Sequence, residues 1–116
     1  MKEEKLYLVH IVEASVKIKN YLPPSLSEFA ENEMARDAII KHLANITESA
    51  SNLEKLSKAS YPNIPWEQIR GMRNILVHDY LGDLSHEEVW KTLQNDLPML
   101  VDAAKNILKE KYAINL

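Results

Sequence analysis

The sequence predicts an all-α protein, a four- to five-helix up-and-down bundle, and three observations indicate this class. Apolar residues recur at spacings of three and four along most of the chain, as the buried face of a helix requires. Only two glycines are present, so turn-forming positions are few. No stretch of useful length shows the alternation of a half-buried strand. We expect one domain over residues 1–116, because a chain of this length buries a single core.

The first half of the chain predicts two long helices with a short one between them. The first runs from about Glu4 to Leu22 and ends before Pro23 and Pro24, since proline disfavours helix in the residue before it. A capping box at Ser25 begins a short helical piece, and the second long helix covers about residues 32–59. Its apolar stripe is the clearest in the chain and consists of Ile39, Leu43, Ile46, Ala50 and Leu53.

The second half of the chain predicts two further long helices. Pro65 stands in the first turn of a helix, where the amide hydrogen that proline lacks would have no partner within the helix. This helix extends to about Tyr80. A second capping box at Ser85 opens the next helix, which Pro98 is expected to kink or restart. The last helix continues to about Lys111, and residues 112–116 are expected to fray.

Composition and charge limit the possible functions. The absence of cysteine excludes a disulfide framework and a thiolate metal site. Because no long apolar run follows the charged N-terminal residues, we expect neither a signal peptide nor a membrane span, and a cytoplasmic location. The net charge of −3 and the pI near 5.8 predict no broad electrostatic surface for nucleic acid. Any contact with RNA must therefore depend on a few local cations.

The third long helix carries a dense group of polar side chains within eleven positions. Arginine binds phosphate oxygens bidentately, and histidine titrates near neutral pH and can take and give protons. RNA cleavage by the neighbouring 2′-hydroxyl needs a base, an acid and a cation on the phosphate, so we expect no metal or other cofactor. The group consists of Arg70, Arg73, Asn74, His78, Asp79 and Tyr80.

Helical geometry restricts how these residues can share a site. His78 lies roughly 140° around the helix and ~7.5 Å along it from Arg73, whereas Asn74 and His78 face the same way. A shared site requires either a distortion near the helix end or residues from two copies of the chain. Because one histidine per chain would have to serve as both base and acid, the sequence favours a homodimer around this helix.

Other candidate residues have structural interpretations. His10, His42 and His86 show no spacing typical of a metal site and are expected to be structural or solvent-facing. Glu48 and Arg36 are by default ordinary charges on a helix face. The alternative is that either of them reaches the cleft and helps to position Arg73.

The spacing of Arg73, His78 and Tyr80 resembles the R-x4-H-x-Y motif of the HEPN toxins, the HepT-like family paired with minimal nucleotidyltransferase antitoxins. This chain departs from the family's pattern at Thr47, where glycine often precedes the glutamate of the second helix, here Glu48. The similar flanking segments, spread over roughly residues 34–100, are Arg36-Asp37-Ala38, Tyr61 to Trp66, Ile69 to Asn74, Val89-Trp90 and Asn95 to Pro98.

The resemblance implies a HEPN bundle that acts as a homodimeric, metal-independent endoribonuclease on RNA. It also implies neutralisation by a nucleotidyltransferase antitoxin that attaches AMP to the motif tyrosine. By position, Arg73 and His78 take the catalytic role, Asn74 a supporting role, and Tyr80 the role of the AMPylation site. The alternative is a catalytically weak HEPN module that binds the nucleotidyltransferase and is modified by it, which the acidic pI favours. A plain helical scaffold would leave the polar group unexplained.

Overall fold

The computed structural model describes residues 3–78 and 85–116, with side chains for all of these except residues 77 and 78. Every regular element in these ranges is helical, which confirms the predicted all-α bundle. The helices are α1 (Glu4–Tyr21), α2 (Leu26–Glu31), α3 (Glu33–Ser51), α4 (Lys55–Ala59), α5 (Trp66–His78), α6 (His86–Lys91) and α7 (Leu97–Tyr112), with a π-helical turn at Thr92–Asp96.

The connections around α2 depend on side-chain caps. The Ser25 hydroxyl accepts a hydrogen bond from the Glu28 amide at 3.2 Å, which confirms the predicted cap. The Asn32 side chain accepts from the Ala35 amide at 3.0 Å and begins α3 in the same way. Arg36 donates to the carbonyl of Ala30 at the end of α2, so it ties α2 to α3.

The predicted single helix over residues 32–59 is wrong, because α3 ends at Ser51 and α4 begins at Lys55. The Asn52 side chain donates to the carbonyl of Glu48 at 2.9 Å, a local bond that competes with helix continuation. The amide of Glu54 donates to the carboxylate of Glu4 at 2.8 Å instead of to a carbonyl one turn earlier. The buried carboxylate of α1 therefore takes a donor that an unbroken helix would use.

The start of α5 is fixed by Trp66. Its indole nitrogen donates to the carbonyls of Lys58 and Tyr61, both at 3.1 Å, and its ring packs against the core. These bonds anchor the first turn of α5 to α4 and the loop that follows it. The predicted start at Pro65 agrees to within one residue, whereas the predicted end at Tyr80 lies outside the described residues.

The disturbance predicted at Pro98 takes the form of the π-helical turn between α6 and α7. Pro98 has no amide hydrogen for the carbonyl of Gln94, so the regular hydrogen-bond ladder cannot continue there. The amide of Leu97 donates instead to the carbonyl of Thr92, five residues back. The Ser85 hydroxyl caps α6, as predicted, by accepting from the amide of Glu88 at 3.4 Å.

The core lies between α1, α3, α5 and α7, with α3 packed against both α1 and α5. The predicted fraying from residue 112 does not begin before Ile114. The amide of Ile114 donates to the carbonyl of Leu108 at 3.0 Å and so closes the end of α7. No helix in the described ranges is long and apolar enough to cross a membrane. The side chains that are almost fully buried in the core include Leu8, Ile11, Ile18, Phe29, Ile39, Leu43, Ile46 and Leu108.

Candidate active site

Arg73 lies where α5 meets α3. The apolar face of α5 packs into the bundle through buried Ile69 and half-buried Met72 and Leu76. Arg73 stands at the edge of that face, and its side chain remains 37% exposed. Its Nε donates to the Glu48 carboxylate of α3 in an ion pair. The packing of α3 on α5 thus places a carboxylate beside the arginine of the motif.

The guanidinium of Arg73 is held on a second side by its neighbour in sequence. Its Nη1 donates to the Oδ1 atom of Asn74 at 3.1 Å. Glu48 is in turn approached by Asn52, whose amide nitrogen lies 3.5 Å from its Oε1. These two contacts use Nε and Nη1 of the guanidinium, a planar group whose N–H donors bind anions.

The structure brings together some of the predicted site residues and not others. Arg73 and Asn74 are in contact, and Glu48 joins them, as the alternative interpretation of Glu48 proposed. Arg36 does not reach them, because it is bound at the end of α2. His78 is the last residue of α5, and its side chain is outside the description, as are Asp79 and Tyr80.

Arg70, one helical turn before Asn74, has a local partner. Its guanidinium lies 3.1 Å from the carboxylate of Glu67, and both side chains are mostly exposed. An exposed pair at this spacing stabilises a helix only weakly. Arg70 is therefore a surface arginine of α5 whose hydrogen-bond partner is Glu67, whereas that of Arg73 is Glu48.

Two cavities are lined by residues of the candidate site or by their neighbours in sequence. One, of about 410 Å³, lies between α5, α6 and the π-helical turn and is lined by Thr47 and Met72, the neighbours in sequence of Glu48 and Arg73. The other, of about 510 Å³, lies between α1 and α3 and includes Glu48 itself. The candidate site thus adjoins the second cavity directly, through Glu48.

The histidines of the described ranges occupy different surroundings. Partial burial and the nearby charges of Lys17 and Lys41 lower the pKa of His42, which therefore favours its neutral form near neutral pH. His86 is exposed and meets Phe29 edge to face, with ring centroids 6.3 Å apart. Across residues 3–78 and 85–116, no three histidine or carboxylate side chains are placed to share a metal ion.

Comparison with known proteins identifies the family. The family model of the HepT-like ribonucleases matches residues 11–107, a range that contains both Glu48 and Arg73. No solved structure matches this chain.

Curated relatives agree with that match. A protein of Caldanaerobacter subterraneus subsp. tengcongensis, provisionally named an RNase, is 30% identical over 112 residues, covering 96% of this chain and 99% of the relative. A similarly named protein of Methanocaldococcus jannaschii is 30% identical over 85% of this chain and 91% of its own length. A protein of Thermococcus cleftensis, provisionally named ribonuclease HepT, is 31% identical over 85% of this chain and 90% of its own length. This chain belongs to the HepT-like ribonuclease family.

Proposed function

We propose that this protein is the toxin of a HEPN toxin–antitoxin pair and acts as a metal-independent endoribonuclease. The observation that carries the proposal is the guanidinium of Arg73, which is held by Glu48 and Asn74 and remains partly exposed on the surface of α5. A pre-oriented arginine suits the negative charge that accumulates on a phosphate during cleavage. The family membership of the chain and the names of its relatives support the same activity.

The proposed reaction is a transesterification within the RNA strand. A histidine takes the proton of a 2′-hydroxyl, whose oxygen attacks the adjacent phosphorus while Arg73 binds a non-bridging oxygen. The bond from phosphorus to the 5′-oxygen breaks, and a general acid gives a proton to this leaving oxygen. The products are a 2′,3′-cyclic phosphate and a 5′-hydroxyl, so the step needs neither metal nor oxidant.

Regular geometry in α5 supports a site built from two copies of the chain. The α-helix is continuous from Arg73 to His78, so position 78 lies roughly 140° around the helix from Arg73. Arg73 points towards α3, whereas position 78 falls within ~60° of Gly71, Asn74 and Ile75, all of which are exposed. Without a distortion between them, contact with a second α5 helix is the arrangement that joins both residue types in one cleft.

Neutralisation is proposed to follow from the motif tyrosine. A nucleotidyltransferase would attach AMP to Tyr80, the tyrosine that follows Arg73 by seven residues in the motif. The added phosphodiester carries a charge that matches the guanidinium, so it would compete with the RNA backbone for Arg73.

A catalytically weak module that is modified by the nucleotidyltransferase remains the second candidate. The observation in its favour is the charge balance of the site, because the carboxylate of Glu48 already compensates Arg73 in a protein of net charge −3. Such a module would bind its partner through the same face without cleaving RNA.

The deciding experiment is regulated expression of the chain with and without its nucleotidyltransferase, combined with cleavage of purified RNA in excess EDTA. We expect growth arrest only without the partner, and RNA fragments that end in a 2′,3′-cyclic phosphate. Loss of cleavage in EDTA would contradict the metal-independent mechanism. Normal growth together with intact RNA would favour the second candidate.

A further inference from the structure

The groove between α1 and α3 is a second feature of the surface with a distinct chemistry. It has a volume of about 510 Å³, and polar side chains stand along both of its walls. From α1 it is lined by Tyr7, His10 and Lys17, which recur at helical spacings along one face. From α3 it is lined by Lys41, His42, Asn45 and Glu48.

The charges of this groove favour an anion more than those of the other cavity beside the site. Lys17 and Lys41 are exposed and close enough to His42 to lower its pKa, in addition to the effect of burial. The carboxylates in the lining are Glu13 and Glu48, and Glu48 is paired with Arg73. By contrast, the cavity at the π-helical turn contains one lysine and the carboxylates of two residues, Glu88 and Asp96.

An aromatic side chain lies beside the lysines. Tyr21, at the last position of α1, stacks on His42 with ring centroids 6.4 Å apart and planes inclined by 21°. The tyrosine is nevertheless 50% exposed, so part of its ring faces solvent. Aromatic rings next to cations are the combination that binds single-stranded nucleic acid, with bases on the rings and phosphates on the cations.

Glu48 connects this groove to the candidate active site. It lines the groove on one side and binds Arg73 on the other. The α1 wall runs from Tyr7 to Lys17, and Tyr21 stands one helical turn beyond Lys17, ~21 Å along the helix from Tyr7. A chain lying in the groove would therefore enter near Tyr21 and reach the guanidinium of Arg73 at the far end.

We propose that the groove between α1 and α3 binds a single-stranded segment of the RNA substrate next to the cleaved bond. Lys17 and Lys41 contact its phosphates, and the exposed face of Tyr21 stacks on a base. The inference rests on the proposed ribonuclease function and adds the part of the surface that holds the substrate. It also explains how an acidic protein binds RNA, since two local cations are concentrated in one groove.

The test measures binding apart from cleavage. The probe is a fluorescein-labelled oligouridine with 2′-O-methyl riboses, which lacks the hydroxyl nucleophile and stays intact, and the readout is fluorescence anisotropy at several salt concentrations. We expect the double variant Lys17→Gln/Lys41→Gln to bind roughly tenfold more weakly, with a salt slope reduced by ~1.4 because two phosphate contacts are lost. Tyr21→Leu should weaken binding about fivefold or more without changing the slope.

The matched control is Lys105→Gln/Lys109→Gln, which removes two exposed lysines from α7. It should bind like the wild type, and circular dichroism should show that all variants keep their helices. With a cleavable RNA, the Lys17/Lys41 variant should raise KM and leave kcat within a few-fold.

The outcomes separate this inference from the proposed function. If the wild type cleaves RNA but the Lys17/Lys41 variant binds like the control, the groove is not the substrate site although the ribonuclease function stands. If the wild type binds the probe through the groove but cleaves no RNA, the groove inference holds and the catalytic function fails. If the variant binds RNA normally but loses the nucleotidyltransferase, the groove is a protein interface and the inference is wrong.

Discussion

Arg73 is the residue on which the proposed chemistry depends most directly. Two side chains fix the orientation of its guanidinium. We expect Arg73→Ala to lower kcat/KM for RNA by roughly 10²-fold or more while the helical content is unchanged. The variant lacks the cation that stabilises the negative charge developing on the phosphate. His78→Ala should have a similar effect through loss of proton transfer. Initial rates on a labelled RNA measure both.

Arg70→Ala provides the control for this comparison, since it removes the same side chain three positions earlier on the same helix. Arg70 is paired with Glu67 at the surface, so its variant should cleave RNA like the wild type. Equal losses in Arg70→Ala and Arg73→Ala would mean that α5 contributes only general positive charge.

Glu48 is predicted to act on the reaction through Arg73, as a positioning residue. Glu48→Ala should lower kcat about tenfold with little change in KM, because the guanidinium then loses the acceptor at its Nε. Glu48→Gln keeps a carbonyl oxygen at the same place and should recover most of the activity. Glu67→Ala serves as the control carboxylate on α5. Failure of the glutamine variant to recover activity would show that the charge of Glu48, rather than its geometry, is required.

Tyr80 is predicted to be the residue through which the nucleotidyltransferase acts. Tyr80→Phe should remain toxic and active on RNA, yet resist the enzymatic action of the antitoxin, because the acceptor hydroxyl is gone. Mass spectrometry after co-expression should show one or more AMP units on Tyr80 of the wild type. A mass increase on another residue, or full cleavage by modified protein, would leave neutralisation to steric binding.

Sequence reasoning identifies site residues that are close along one helix but not their distant partners. Arg73 and Asn74 are adjacent, so the motif names both. Glu48 lies 25 residues earlier and could be given only as an alternative to an ordinary surface charge. Its role becomes visible once α3 packs on α5, because helical periodicity shows which face is buried but not which neighbour covers it.

At the scale of the helices, a cluster of hydrogen bonds around the Glu4 carboxylate holds the chain segment between α3 and α4 in place. This carboxylate is buried and accepts hydrogen bonds from the Glu54 amide at 2.8 Å, the Lys111 ammonium at 2.9 Å and the Tyr112 hydroxyl at 2.8 Å. It therefore joins the start of α1, the break before α4 and the end of α7. The break does not follow from the apolar pattern, because it depends on the Asn52 side chain, which bonds the Glu48 carbonyl, and on Glu4, 50 residues before the amide that it accepts from.

Glu4→Gln is predicted to destabilise the fold by about 2 kcal/mol at neutral pH, since charge-assisted hydrogen bonds to a buried group are weakened or lost. Urea denaturation followed by circular dichroism measures the change in the free energy of unfolding. Glu110→Gln, which removes an exposed carboxylate of α7, is the control and should change stability little. Equal stability of the two variants would show that the cluster makes no net contribution.

The cluster around Glu4 also predicts that the stability of the fold depends on pH. Burial raises the pKa of Glu4, but the hydrogen bonds from Lys111, Glu54 and Tyr112 together outweigh it, and the pKa lies below its ordinary value of 4.5. Because the folded-state pKa is lowered, the stabilisation is complete above about 4.5 and is lost as the pH falls through the folded-state value. Glu4→Gln should remove this part of the acid sensitivity of the wild type.

At the scale of the whole molecule, α3 connects the parts on which function is proposed to depend. It packs against α1 on one side, where the groove lies, and against α5 on the other, where it supplies Glu48 to Arg73. The helical class and most helix boundaries follow from the sequence, because apolar spacing, proline and capping residues act locally. Which helices pack against α3 depends on contacts between segments that are distant in the sequence, so it could be seen only in the structure.

The last prediction concerns assembly. If one cleft needs a histidine from each of two chains, one as base and one as acid, a mixed dimer of wild type and His78→Ala is inactive. After subunit exchange in an equal mixture, the activity should be about one quarter of that of pure wild type at the same total chain concentration, because only dimers with two wild-type chains cleave RNA. Light scattering establishes the dimer, and Arg70→Ala chains mixed in the same way provide the control with no loss. Activity that falls only to about one half would mean that each chain acts alone, and it would contradict a shared cleft on α5.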